Sequence, residues 1–519
     1  MRRLAVILPV LIATAILRAA QPSTTDDAAI VHVLNRVGFG PAPGEVERVR
    51  RIGVPGYIEE QLHPERLADA AMHDRLAGLT TLSSSTADLL QQFQQPLAQA
   101  RRERQRQGAV QGNSERPARR SMPSREVQPT LPVVELSQQK LLRAVYSDRQ
   151  LEEVLTDFWF NHFNVDARKG PVRFMVTEYE RDAIRPFVLG RFRDLLGATA
   201  KSPAMLFYLD NWMSADPNPQ RQPQRMRRGL RNVRPQPEPA NAMRRGLNEN
   251  YARELMELHT LGVDGGFTQN DVTEVARAFT GWTIENPRMR GTFRFELRLH
   301  AAGVKTVLGH RIDAGGVQDG EEVLEILAAH PSTARFISTK LARRFVSDTP
   351  PAALVARLSA RFTTTRGDLR EVMRALLVSP EFLSQSSHGT KIKTPFEYVV
   401  SAIRASGQAL ADARPAGHSL QHLGMPLYQC QPPTGYKDTA DAWVNTGALV
   451  NRMNFAVTWS SAESGPGQLR GRRQESAASV EDVLAGVPVS DATRTTIDKA
   501  STPQQALALA LGSPEFQRK

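Results

Sequence analysis

Cysteine is almost missing from this 519-residue chain: Cys430 is the only one, so an intramolecular disulfide and any paired-cysteine metal knuckle are excluded. Its distance from the N-terminus also argues against an N-terminal lipid anchor. Aromatic residues make up only 6%, and Leu, Ala and Val lead the apolar set, a balance that favours helices over a strand-rich barrel. Beyond Ala20 no run is long and apolar enough to cross a bilayer. The spaced motifs of common hydrolases are missing too: there is no HExxH, no phosphate-binding glycine loop and no G-x-S-x-G elbow.

What is present is a chain long enough for about three domains. Its hydrophobic content of 41% is sufficient to bury a core without staples. Arg2 and Arg3 precede the uncharged run Leu4 to Leu17, and small residues follow at Ala19 and Ala20. Residues 1–20 therefore read as a cleaved export signal, with an uncleaved anchor as the alternative because of Arg18. The expected location is periplasmic or extracellular.

The net charge of +12 is concentrated in two places. Residues 101–126 hold eight Arg against Glu103, Glu115 and Glu126, and residues 221–245 hold eight against Glu238. Those stretches account for the entire surplus, so the remainder is neutral. The enclosing segments, 96–132 and 214–246, read as disordered Arg/Pro-rich insertions. No aromatics interleave there for base stacking, which favours solvated insertions over a nucleic-acid-binding arm.

Between them the helical period dominates. Thr25 is a candidate N-cap for a helix carrying Ile30, Val33, Leu34 and Val37, and Leu151, Val154, Leu155 and Phe158 form another stripe ending near His162. Further helices are expected at 177–189, 316–329, 331–346, 367–378 and 394–410. Ser137 is expected to be a helix N-cap. From Phe293 to His300 apolar and polar residues alternate, Ala301-Ala302-Gly303 follows, and Val304 to Leu308 returns, so 293–308 reads as a β-hairpin. LLVSPEF at 376–382 and LALGSPEF at 509–516 look like one helix-break device used twice. The expected organisation is a helical part at 26–95, a second at 133–213, a main body at 247–460 holding the hairpin, and a linker with helices at 461–519. The fold class is all-α with one small hairpin.

The densest polar segment is NENYARELMELHTLGVDGGFTQNDVTEVARAFTGWT, residues 248–283. Tyr251, Leu255 and Leu258 share one helical face; Asn250, Arg253, Glu254 and Glu257 share another. Gly262 is the expected helix stop, Asp264-Gly265-Gly266 a turn, and Thr268 with Asp271 a near capping box. This helix-turn-helix resembles the hallmark of the bacterial family called domain of unknown function 1800. So do HVLNRVGFGPAPGEVE, DFWFNHF, LRLHAAGVKTVLG and GMPLYQCQPPTGYKDTADAWVNTGALVNRMNF, together spanning roughly residues 28–460. Two positions depart from the family pattern: His300 is followed by Ala301 where Asp is common, and Tyr436 replaces a Trp, although Trp443 keeps the later aromatic. The resemblance implies an exported helical protein, often accompanied by a secreted sulfatase-like protein, and no established catalytic residues.

Three readings of the polar face stay open. One is catalysis, with Glu254 or Glu257 as general acid/base and Arg253 on an anionic group. Another is a divalent-metal site joining His162, Glu254, His259 and His300. The third is a buried ion-pair network that ties helices together. Asn250, Trp282 and Trp443 are candidate ligand-binding residues, the two Trp through sugar stacking. The expected function is a binding or scaffold component of the cell envelope working with the sulfatase-like partner; the alternative is a hydrolase, with or without metal, of an extracellular polymer or ester.

Overall fold

The computed structural model describes residues 27–99, 102, 105, 128–217, 246–410, 412–461 and 479–519. The expected export segment (residues 1–20), Thr25 and most of both basic segments lie outside the described residues. What is described of their edges is ordered: residues 95–99 are helical, and the next helix, Leu131–Tyr146, starts inside the expected insertion. The ends of the second are pinned together, the Ala215 amide donating to the Gly246 carbonyl at 3.1 Å.

Helices follow the apolar periods closely. Asp27–Val37 buries Ile30, Val33, Leu34 and Val37, and the expected helices at 316–329, 331–346 and 367–378 are Val317–Ala329, Pro331–Phe345 and Leu369–Leu377. Pro395–Ser406 stops short of 410 because Gly407 takes a left-handed φ of +63° as its C-cap. The helix expected at 177–189 begins earlier, at Val172, widens over Tyr179–Ile184 and tightens over Arg185–Phe187, where Pro186 has no N–H to continue the ladder. Ser137 is not an N-cap. It sits inside Leu131–Tyr146 and donates its hydroxyl back to the Val133 carbonyl at 2.7 Å, because Pro132 starts that helix a turn earlier. The SPEF device ends a helix in both copies, the Phe382 amide donating to Ser379 Oγ and the Phe516 amide to Ser513 Oγ with both rings buried. Only the first starts a new helix, Pro380–Leu383, while the second leads into a turn.

The expected 293–308 hairpin pairs differently. Thr292–Phe295 pairs antiparallel with the upstream strand Trp282–Glu285, and Lys305–Val307 pairs with the downstream His310–Ile312. Asn286 at φ 43° and Gly291 at φ 65° make the real turn between the first two strands. Leu297–Leu299 breaks the alternation as a 3₁₀ turn that carries His300 inward.

One apolar core runs through the expected parts, from Ile30 to Phe516. Leu131–Tyr146 packs on Pro395–Ser406 and Arg414–His422, so early and late segments close on each other. Late pairing does the same at the other end: the Lys393 amide donates to the Gln517 carbonyl at 2.9 Å, and the Lys519 amide to the Lys391 carbonyl at 2.9 Å. Among the described residues no helix is long and apolar enough to cross a membrane.

Candidate functional site

The helix Gln150–His162 sets the first wall of a cleft. Leu151, Val154 and Leu155 of its apolar stripe fix it in the core, and the spacing of four places Asp157 with Asn161, and Phe158 with His162, along the cleft. The second wall is the end of Pro331–Phe345, where Lys340, Arg343 and Arg344 follow at three and four residues. The third is the loop carrying Thr434, Tyr436, Lys437, Asp438 and Thr439. Together they enclose about 350 Å³, with Phe158, Met425 and Tyr436 as apolar lining.

The loop is clamped to the first helix by amide side chains. Asn161 Nδ2 donates to the Tyr436 carbonyl at 2.8 Å, and the Tyr436 amide donates to Asn161 Oδ1 at 2.7 Å. Just beyond the helix, Asn164 Nδ2 donates to the carbonyls of Cys430 and Pro432 at 2.9 and 2.8 Å. Trp443 is buried and donates its indole N–H to the Lys437 carbonyl at 2.8 Å, so it braces this wall. Cys430 lies behind the loop; burial and then Asp166 push its thiol up to about 11, which leaves it inert.

The charges in the cleft are unequal. Asp157 is paired with Lys140 at 2.8 Å, and Asp438 has Lys391 at 3.8 Å and Arg344 at 4.0 Å. Arg344 is itself engaged with Glu397, whose carboxyl Arg344 and Lys519 hold low against the cost of burial. Among the described residues no carboxylate pairs with Lys340 or Arg343. Arg343 donates Nε to the Asp348 carbonyl at 3.2 Å, and Lys340 donates to His162 Nδ1 at 2.9 Å. Burial first, then Arg343, pulls the Lys340 ammonium down to about 8 against the opposing charge of Asp438.

His162 is fixed in one tautomer. Its Nε2 faces the His259 carbonyl at 3.1 Å, and a carbonyl only accepts, so Nε2 carries the proton. Nδ1 faces an ammonium, which only donates, so Nδ1 is bare. Burial, then Lys340 and His259, keeps the ring neutral, well below the usual histidine range.

The structure therefore does not assemble the expected metal set. His162 has both ring nitrogens engaged, and His259, with a ring centroid 6.3 Å away, is neutral because burial and Lys340 pull it to about 3. His300 belongs to a separate buried cluster. Its Nδ1 donates to the Thr280 carbonyl at 2.8 Å, and its Nε2 lies 3.0 Å from Asp319, which Lys305 meets at 2.5 Å. Among the described residues no three His, Cys, Asp or Glu side chains are placed to hold a metal ion.

The polar face of Glu249–Glu257 lies elsewhere as well. Arg253 donates to Gln269 at 2.6 Å rather than to a carboxylate, so the expected buried ion-pair network does not form around it. Gln269 in turn donates to Glu249 at 2.8 Å. Burial and the neighbouring Glu257 raise the Glu254 carboxyl, yet Arg253, Glu254 and Glu257 line no part of the cleft. Asn250 is exposed; the cap is Asn248, whose side chain accepts from the Tyr251 amide. The Thr268–Asp271 capping box is present as read. Trp282 is fully buried against Phe279 and Phe293, which makes it core and not a stacking platform.

Lys340, Arg343, Tyr436 and Asp438 are the residues that sequence reading passed over. Two of the three walls were visible as the segments DFWFNHF and PPTGYKDT. The third, TKLARRF, reads as an ordinary helix end with basic residues in its last turn.

The family described as "Protein of unknown function (DUF1800)" matches residues 32–518, nearly the whole chain. The chain belongs to the DUF1800 family. The match takes in all three walls of the cleft. No curated protein and no solved structure matches the chain.

Proposed function

We propose that this DUF1800 protein is an exported binding component of the cell envelope, and that its cleft takes a small anionic ligand. The observation that carries this reading is the pair of cations without carboxylates, Lys340 and Arg343, in a cleft whose own carboxylates are already paired. Such cations favour carboxylate, sulfate or phosphate groups through charge-assisted hydrogen bonds. The secreted sulfatase-like partner, which the family resemblance implies, belongs to the same proposal: sulfate is one anion this cleft suits. The hydrolase alternative has less support, because Glu254 and Glu257 stand outside the cleft.

The test is calorimetric titration of the purified chain with sulfate, phosphate and acetate at low ionic strength, beside Arg343→Gln and Lys340→Met. Each charged hydrogen bond contributes about 1.5–3 kcal/mol, so each variant should weaken binding roughly 10- to 100-fold. Absence of binding in the parent, or equal binding in the double variant, rejects the reading.

A further inference from the structure

We propose that Lys340 is an amine nucleophile that captures the carbonyl of a small oxo-anion, an aldehyde or 2-oxo acid bearing a carboxylate, as an imine. The inference rests on the anion-binding reading of the cleft, with Arg343 holding the carboxylate while Lys340 meets the carbonyl.

Comparison with the other inward lysines carries the argument. Lys140 is held by Asp157, Lys305 by Asp319, Lys391 by Asp348 and Lys519 by Glu397. A carboxylate partner favours the protonated amine. Burial, then Arg344, still pulls Lys519 down to about 7, but its Nζ is bonded to Glu397 in the core and it lines no part of the cleft. Lys393 has no carboxylate among the described residues, but it donates to Ser401 Oγ at 2.7 Å inside the core and lines no part of the cleft. Lys340 combines the two requirements: it lines an open cleft, and among the described residues its hydrogen bond goes to a neutral ring nitrogen.

That bond has a second consequence. His162 is held by the His259 carbonyl, so its bare Nδ1 accepts one Lys340 N–H from a fixed direction. His162 is thus a positioning residue; the centre of the Phe336 ring lies 5.6 Å from the same Nζ, and Lys340 lines the cleft. This is the order nucleophile, acceptor, orienting group found wherever a side-chain nucleophile is pre-aimed. With the ammonium pulled down to about 8, roughly a tenth of the amine is neutral at pH 7, far more than for an ordinary lysine.

The step balances without a further reactant. The Lys340 ammonium releases one proton to solvent, and the amine nitrogen bonds to the carbonyl carbon. The second nitrogen proton passes to the oxygen, giving a carbinolamine. Its hydroxyl takes one proton from solvent, the C–O bond breaks and water leaves, and an iminium remains. A cleft of about 350 Å³ suits a ligand of a few carbons with one anionic group.

The experiment incubates the full chain with glyoxylate and sodium cyanoborohydride, which reduces any imine to a stable secondary amine, and maps the adduct by peptide mass spectrometry. The chain has ten lysines, so the site of attachment is resolved directly. The expected result is attachment at Lys340 at least tenfold faster than at any other lysine, and loss of that adduct in Lys340→Arg with labelling at the other lysines unchanged. His162→Leu, which removes the acceptor, should move the pH midpoint of capture; a purely structural loss lowers the folded fraction and leaves the midpoint in place. Sulfate binding without preferential labelling at Lys340 overturns this inference and leaves the anion-binding reading standing. Absence of both overturns the two together.

Discussion

Replacing Gly435 by Ala should detach one wall of the cleft. Gly435 has φ +72°, and a Cβ there would sit 2.2 Å from the Asn161 carbonyl oxygen and 2.5 Å from its Oδ1. The left-handed backbone costs Ala about 1 kcal/mol. The contact with a helix backbone cannot be relieved by a side-chain rotation, and overpacking of that kind costs about 1–3 kcal/mol. If the loop moves away instead, the two hydrogen bonds between Asn161 and Tyr436 are lost at about 1 kcal/mol each. Either route gives a destabilisation of about 2–4 kcal/mol, and the second also carries Tyr436, Lys437 and Asp438 out of the cleft. Urea unfolding followed by tryptophan fluorescence reads the first effect, and sulfate titration reads the second. A Gly435→Ala protein with the parental midpoint and parental sulfate affinity would refute the clamp.

The remaining expectations concern charge and packing. Sulfate affinity should hold below pH 8 and fall, by up to tenfold per pH unit, as pH rises through about 8 and Lys340 loses its proton; titrations at several pH values show the slope, and Lys340→Arg should flatten it. In the unliganded protein the sign reverses: between about 8 and the ordinary 10.5 the unfolded chain holds the extra proton at Lys340, so this group's contribution to stability improves as pH rises. Asp319→Ala leaves the buried Lys305 ammonium without its carboxylate, and should lower stability by about 3–5 kcal/mol in a denaturant titration; a loss under 1 kcal/mol contradicts the pairing. Because Lys305 and His300 hold the Asp319 carboxyl low against burial, that contribution is present above the ordinary carboxylate range and disappears as pH falls through the lowered value. Trp282→Ala should cost about 3–5 kcal/mol in the same assay with sulfate affinity unchanged, whereas a stacking platform would lose ligand and keep its stability.

How much of this was legible in the sequence depends on how local each feature is. The helix stripes, the Thr268–Asp271 capping box and both SPEF breaks depend on neighbours within four residues, so the chain spells them out. The hairpin failed for a related reason. Alternation at Phe293–Phe295 does signal a strand, but it says nothing about which neighbour pairs with it, and the partner lay upstream at Trp282–Glu285. The polar face of Glu249–Glu257 drew the eye because density of polar residues along the chain was taken as density in space, although His162 does line the cleft. Arg253, Glu254 and Glu257 are close in sequence and half-buried away from the cleft, whereas Asp157, Lys340 and Asp438 come to one cleft only after segments far apart in the chain have packed. The pairing of Asp157 with Lys140 and of Asp438 with Lys391, which leaves Lys340 and Arg343 as the surplus, is likewise a property of tertiary contacts alone.

The most direct measurement is a crystal of the full chain soaked in selenate, with diffraction recorded at the selenium edge. The account predicts an anomalous peak in the cleft, within hydrogen-bond distance of Lys340 Nζ and the Arg343 guanidinium. Selenium found only on the protein's outer surface, with the cleft empty at saturating selenate, would contradict it.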